Sequence, residues 1–73
     1  MTPAAFHAWR KHMGLSQKAA AEALGLSQRM VAYYEAGERS TGPVVIPRAV
    51  ELACAAIREA RALIEQAEKE EEQ

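Results

Sequence analysis

Residues 17–34 decide the fold, and they read QKAAAEALGLSQRMVAYY. Ser16, just before this stretch, and Ser27 within it are typical N-cap residues, and each is followed by apolar residues at helical spacing. Gly25 provides the left-handed residue that ends the first of the two helices. Because the connection is so short, it predicts helices that cross sharply rather than an antiparallel hairpin, with the small Ala21 where they nearly touch.

The apolar residues of this stretch are spaced so that they face one interior. They are Ala20, Leu24, Leu26, Val31 and Tyr34. The aromatic side chains of Phe6 and Trp9, which precede the stretch, are expected to pack against the same interior. Two short helices that cross over a shared apolar side are typical of a helix-turn-helix.

A first helix is predicted on the amino-terminal side of this pair. Thr2 is its N-cap and Pro3 its first residue, and it stops before Gly14. Its inward stripe consists of Phe6, Trp9 and Met13. The third helix then covers residues 28–36 and is closed by Gly37.

After the third helix, the sequence predicts a loop and one long helix. In residues 38–46 a Gly-Pro dipeptide interrupts any helical period, and Val44 and Ile46 are expected to plug the core from this loop. No Gly or Pro recurs after Pro47, which predicts one helix from there to about Lys69, with a frayed glutamate-rich end.

Composition supports a single all-α domain. Alanine supplies 16 of the 73 residues, and the one β-branched run, residues 44–46, lies between two prolines and is too short for a strand. A chain of this length has room for one small core. We therefore predict an all-α fold, a compact helical bundle with a helix-turn-helix and a long C-terminal helix.

Several classes of protein are excluded by what the sequence lacks. The lone Cys54 cannot form an intramolecular disulfide, no Cys/His cluster offers a metal site, and no apolar run suits a signal sequence or a membrane span. His7 and His12 stand five residues apart, off a common helical face, and are interpreted as surface histidines. No catalytic constellation is visible. We expect a cytoplasmic protein that is not an enzyme and uses no cofactor, small-molecule ligand or membrane.

Charge is divided along the chain. Through Arg48, Lys and Arg exceed Glu by three, whereas beyond it Glu exceeds Lys and Arg by four, which gives the net charge of -1. A basic body followed by an acidic tail is compatible with a polyanionic partner for the body, and it is also common in solvated domains.

Residues at fixed spacing carry a family resemblance: Gly14-Leu15-Ser16-Gln17, Ala21, Leu24-Gly25-Leu26-Ser27, Val31, Tyr34-Glu35 and Gly37-Glu38-Arg39. With them the chain resembles the lambda-repressor/Cro-like (XRE-type) helix-turn-helix proteins of phages, plasmids and bacteria, over roughly residues 6–57. The resemblance implies a lambda repressor-like DNA-binding domain, placed at residues 1–58. Its recognition helix, about residues 28–36, would lie in the major groove of double-stranded DNA. From Arg58 onward the chain departs from the compact fifth helix of many members.

The resemblance also implies which side chains read the bases. Gln28 and Arg29 occupy the first turn of the recognition helix, where Arg can pair with O6 and N7 of guanine and Gln with N6 and N7 of adenine. Tyr33, one turn further along, is expected to touch a thymine methyl group or a phosphate, and Met30 lies at the edge of this surface. Outside the motif, Arg29 would be an ordinary surface charge and Tyr33 a partly packed aromatic residue.

Other residues match the family's contacts to the DNA backbone. Gln17, at the start of the second helix, resembles the residue whose amide and helix-end N–H groups hold a phosphate. The remaining phosphate candidates continue this clamp on either side, and they are Ser27, Lys18, Arg39, Ser40 and Thr41. Arg10 and Glu35 are assigned to structure as an ion pair, because a glutamate near the end of a helix is stabilised by a cation.

The last helix supplies the expected contact between subunits. Its apolar residues recur at helical spacing at Val50, Ala53, Ile57, Ala60, Ile64 and Ala67, with Leu63 beside the same seam. The first part must cover the domain's own core, which leaves Ala60, Leu63, Ile64 and Ala67 for a second copy. Residues 59–73 are therefore interpreted as a dimerisation element with a frayed acidic end.

Together these assignments predict a sequence-specific, dimeric transcriptional repressor of phage, plasmid or operon type that binds an inverted-repeat (palindromic) operator. Autorepression is an expectation from the family's small members. A phage switch, an autorepressor beside anti-defence genes, a restriction-modification controller and an antitoxin all stay open. The alternative is a protein-binding module, such as an antitoxin that neutralises a partner protein, whose face would carry more apolar residues than Gln28 and Arg29 with Gln17 and Lys18 provide.

Overall fold

The structure, a computed structural model, describes residues 1–71 and is a mostly α-helical bundle within that range, in line with the predicted all-α class. Its elements in chain order are α1 (Pro3–His12), α2 (Gln17–Leu24), α3 (Gln28–Ala36), β1 (Glu38–Arg39), β2 (Gly42–Pro43) and α4 (Arg48–Glu71). In the part of the chain that the structure describes, no helix is both long and apolar enough to span a membrane.

The first three helices begin at the predicted caps. In each case a hydroxyl oxygen accepts a hydrogen bond from the backbone N–H three residues further on, which satisfies one of the free donors of the first turn. The pairs are Thr2 with Ala5 at 3.1 Å, Ser16 with Ala19 at 3.0 Å and Ser27 with Met30 at 3.1 Å. These three local signals therefore fix where α1, α2 and α3 start.

The turn between α2 and α3 has the left-handed geometry that the sequence predicts. Gly25 has a φ of 70°, and the N–H of Leu26 donates to the carbonyl of Ala21 at 2.8 Å. A similar glycine, Gly37 with a φ of 77°, ends α3, and a Cβ atom there would lie 3.0 Å from Cγ of Pro3. Glycine at this second position thus also allows α3 to end against the start of α1.

The core lies between α1, α2, α3 and the first turns of α4. Phe6 is fully buried, and its ring centroid lies 5.7 Å from those of both Trp9 and Tyr34. The indole N–H of Trp9 donates to the carbonyl of Cys54 at 3.0 Å, which joins α1 to α4. The whole buried cluster is Phe6, Trp9, Met13, Ala20, Ala21, Val31, Tyr34, Ile46 and Cys54.

The segment after α3 is more ordered than the predicted loop. Its strands β1 and β2 form a minimal antiparallel pair, with Glu38 opposite Pro43 and Arg39 opposite Gly42, so that Ser40 and Thr41 form the tip. Of the β-branched residues that follow, Ile46 is buried and Val44 packs against the core, as predicted, whereas Val45 is exposed.

The last helix differs from the prediction at both ends. It begins at Arg48, directly after Pro47, and continues through Glu71, two residues beyond the predicted end at about Lys69. Residues 72–73, where the rest of the frayed end was predicted, lie outside the described residues. Because α4 extends past the bundle, the molecule measures 54 × 20 × 18 Å.

Candidate nucleic-acid interface

The amino-terminal ends of α2 and α3 lie on one surface. A depression there, named here the α2 depression, is lined by Gln17 and Lys18 from the first turn of α2 and by Gln28 from the first turn of α3. It brings two of the predicted phosphate contacts next to a predicted base reader. The exposed N–H groups of a helix start favour an anion at such a place.

A second depression, named here the α3 depression, holds the other predicted residues. The first turns of α3 and the tip of the β-hairpin line it, and the lining residues are Ser27, Arg29, Met30, Tyr33, Arg39, Ser40 and Thr41. The two depressions therefore contain every residue predicted to touch DNA, although those residues come from α2, α3 and the hairpin.

The charges in these depressions have one sign. Lys11 and Lys18 line the α2 depression, and Arg29 and Arg39 line the α3 depression. Among the described residues, no aspartate or glutamate lines either of them. Such a surface attracts a polyanion over a distance set by the ionic strength.

Exposure separates the candidate base readers. Gln28 and Arg29 are exposed, whereas Tyr33 is half-buried and Met30 packs partly against the core. Met30 therefore exposes less of its side chain to a ligand than Gln28 and Arg29 do. The Ser27 hydroxyl accepts the capping bond from Met30 but keeps its own O–H donor, which remains available for a phosphate oxygen.

Arg10 and Glu35 form a bidentate, largely buried ion pair beneath this surface. Nε of Arg10 donates to Oε2 of Glu35 and Nη2 donates to Oε1, both at 2.8 Å, while Nη1 donates to the carbonyl of Leu15 at 2.9 Å. These hydrogen bonds outweigh the effect of burial and lower the pKa of Glu35 to about 2. The same contacts raise the pKa of Arg10.

Two further side chains join this pair and were not predicted to do so. Nδ1 of His7 lies within hydrogen-bond distance of Oε1 of Glu35, a contact that was not predicted, although His7 is exposed as expected for a surface histidine. Nε2 of Gln17 donates to Oε2 of Glu35 at 3.4 Å, which leaves its second N–H for a phosphate. The sequence did contain a signal for the contact of His7 with this pair, because His7 and Arg10 are three residues apart and therefore share one helical face.

Lys11 is a candidate that the sequence reasoning missed. It lies in the last turn of α1, is exposed and lines the α2 depression beside Gln17 and Lys18. Its place two residues after the buried Trp9 was the signal, because that spacing turns the side chain away from the core.

The remaining predicted residues lie away from the two depressions. Ala60, Leu63, Ile64 and Ala67 are all exposed on the part of α4 that leaves the bundle. Cys54 is buried, which raises the pKa of its thiol. No group of His, Cys, Asp or Glu in residues 1–71 could hold a metal ion.

Of the comparisons of this chain with known proteins, one gives a match. A family model described as Helix-turn-helix matches residues 6–50, which is more than half of the chain. The chain belongs to this family, in its XRE (lambda repressor-like) form. It is accordingly a DNA-binding transcription regulator of the XRE type. No curated protein and no solved structure matched the chain.

Proposed function

We infer that the protein is a dimeric repressor that reads an inverted-repeat operator with the first turn of α3. The single observation that carries this proposal is the convergence of the predicted DNA-contacting residues on two adjoining basic depressions. A repressor bound to a promoter excludes other proteins from the same DNA, so occupancy of the operator alone represses transcription.

In this proposal the two depressions have different tasks. Arg29 and Gln28 discriminate base pairs by hydrogen bonds in the major groove, with Tyr33 and Met30 beside them. Phosphate contacts come from Gln17 and Lys18 on one side and from the hairpin tip on the other, and they fix the register of the helix without reading sequence. Glu35 holds Arg10 and Gln17 in place from below.

Burial along α4 supports the proposed division of the chain. Cys54 is the last buried residue of that helix, and from Arg58 onward every described residue is exposed. Residues 1–58 are therefore proposed as the DNA-binding domain and residues 59–73 as the extension that joins two copies. Two copies related by a two-fold axis would bind half-sites about one DNA turn, ~34 Å, apart.

The test is a gel-shift titration with the duplex upstream of the protein's own gene, repeated at several salt concentrations. We expect binding whose log K falls linearly with log salt, at a slope that corresponds to several phosphates. A slope near zero, or equal affinity for a scrambled duplex, would contradict a sequence-specific regulator that clamps the DNA backbone.

A further inference from the structure

A trough between α1 and α4, named here the α1–α4 trough, lies apart from the proposed DNA contact. Ala5 and Ala8 of α1 and Ala55 of α4 line it, and the buried Trp9 and Cys54 lie at its bottom. None of its lining residues lines either basic depression. Its volume of about 430 Å³ is within the range of sites that bind small molecules, and such sites are mostly apolar with a few polar groups.

Contacts between α1 and α4 define the two ends of this trough. At one end the ammonium group of Met1 lies 3.0 Å from a carboxylate oxygen of Glu51, and both residues line the trough. Just beyond the other end, the guanidinium of Arg61 donates to the carbonyl of Met13. The two helices therefore pass the trough in the same residue order, from the Met1 end to the Met13 end.

His12 and Arg58 line the second end of the trough. His12 directly precedes Met13, and Arg58 lies one helical turn before Arg61, so the contact between Met13 and Arg61 brings them to the same end. Neither side chain forms an ion pair among the described residues. The one carboxylate in the lining, Glu51, is at the opposite end and already has a partner.

This end of the trough is suited to a carboxylate. The guanidinium of Arg58 presents N–H donors in a planar fork that matches the two oxygens of a carboxylate, and an imidazole N–H of His12 adds a donor. One arginine also balances a single negative charge, whereas a phosphate monoester carries nearly two at pH 7. The alanines and Trp9 offer an apolar surface for the rest of such a ligand.

A second apolar depression, between α2 and α4, has no comparable group for a ligand. Ala23 and Ile64 line it, and the charged residues beside them are Arg61, Glu65 and Glu68. The guanidinium of Arg61 donates to a backbone carbonyl, and its Nε lies 3.9 Å from Oε1 of Glu65. Because this arginine is already engaged, the charges of the second depression do not select an anion.

We propose that the α1–α4 trough binds a small apolar carboxylate, with its hydrocarbon part over Trp9 and the alanines and its carboxylate between Arg58 and His12. Such a ligand ties α1 to α4 at the residue after which α4 leaves the bundle. The sequence alone led us to expect no small-molecule ligand, since the lining residues belong to the first and the last helix and come together only on folding.

The first arm of the test compares octanoate with octanamide, which share a hydrocarbon chain and differ in charge. Isothermal titration calorimetry with the full chain should give octanoate a dissociation constant lower by about tenfold or more, because only the carboxylate forms charged hydrogen bonds with Arg58. The fluorescence of Trp9, the only tryptophan of the chain, should change as octanoate fills the trough.

The second arm removes the cation. Arg58→Met keeps an extended side chain without the charge, so the affinity for octanoate should fall to that for octanamide, and binding of octanamide should stay the same. The matched control is Arg48→Met, since Arg48 is also an exposed arginine of α4 but does not line the trough. Its preference for octanoate should equal that of the wild type.

The third arm fills the trough. Ala8→Leu places a larger side chain in it and should weaken the binding of both probes about tenfold or more. The control is Ala4→Leu, because Ala4 is an exposed alanine of the same helix outside the trough. Helicity by circular dichroism verifies that every variant folds.

The outcomes of these arms do not depend on the proposed function. Absence of octanoate binding, or an affinity that Ala8→Leu leaves unchanged, overturns the trough as the site. Equal affinity of the wild type for octanoate and octanamide, or tighter binding of octylammonium or octyl phosphate, overturns the carboxylate. Binding of the upstream duplex bears on the proposed function alone, because no substituted residue lines a basic depression.

Discussion

Among the residues that the structure describes, Glu35 makes the most tertiary polar contacts. Glu35 lies on α3, and its carboxylate accepts hydrogen bonds from Arg10 of α1 and Gln17 of α2. Nδ1 of His7 lies close to Oε1, the oxygen that also accepts from Nη2 of Arg10. One side chain therefore fixes three helices relative to one another. Removal of either member of the central pair would leave a buried charge without its partner, which costs more than the pair itself contributes.

The position of Glu35 predicts acid sensitivity of the fold. Its pKa falls from an ordinary value of 4.5 to about 2 on folding, so between these values the unfolded chain binds more protons. Stability that is fully present above pH ~4.5 should be lost as the pH falls towards 2, by an amount on the order of 3 kcal/mol. Urea unfolding between pH 6 and pH 2 measures it.

Glu35→Gln is the control for this prediction, because the glutamine side chain has no carboxyl group that could titrate. Its free energy of unfolding should be lower than that of the wild type at pH 6, and the difference should narrow as the pH falls. Parallel pH profiles for the two proteins would show that Glu35 does not carry the effect.

Among the elements, the helices were predictable because their ends are set by local chemistry. Thr2, Ser16 and Ser27 cap backbone groups three residues away, so a short window of sequence contains the whole interaction. The contact of His7 with Glu35 spans 28 residues of sequence and depends on how α1 and α3 pack. The short strands were missed for a similar reason, since they pair only two residues each and carry no alternating pattern.

The same limit applies to the candidate site. The helix-turn-helix spacing places Gln28 and Arg29 at the start of α3, and the family resemblance supplied their roles. Lys11 was missed because its neighbours in the α2 depression belong to another helix. The apolar depression between α2 and α4 was missed because Ala23 and Ile64, which both line it, are brought to one place only by the folded bundle.

The glycines that end α2 and α3 allow a matched test of close packing. Gly25 and Gly37 both have positive φ, but a Cβ at Gly25 would meet nothing within 4 Å, whereas one at Gly37 would lie 3.0 Å from Cγ of Pro3. Gly25→Ala should therefore cost about 1–2 kcal/mol of stability from the backbone alone, and Gly37→Ala should cost more. Thermal or urea denaturation of the two variants gives the comparison.

The Pro3→Ala background tests the cause of the difference. It removes the Cγ atom, so the excess cost of Gly37→Ala over Gly25→Ala should shrink there. An equal cost of the two glycine substitutions in the wild-type background would show that α3 does not end tightly against α1.

For the molecule as a whole, charge and shape separate two surfaces. The basic depressions lie at the starts of α2 and α3, and the acidic residues concentrate on the part of α4 that extends from the bundle. A polyanion is attracted to the first surface and repelled by the second. This separation favours one orientation of the domain on DNA, with α4 left free for the proposed contact with a second copy.

The most direct measurement compares the affinities of wild-type, Arg29→Ala and Gln17→Ala proteins for the operator duplex and for a random duplex, by fluorescence anisotropy at one salt concentration. A lost base contact of about 1–3 kcal/mol should lower the operator-to-random ratio of Arg29→Ala roughly 5- to 150-fold. Gln17→Ala should weaken binding to both duplexes alike and leave the ratio unchanged. An unchanged ratio for a folded Arg29→Ala protein would contradict base reading by the first turn of α3.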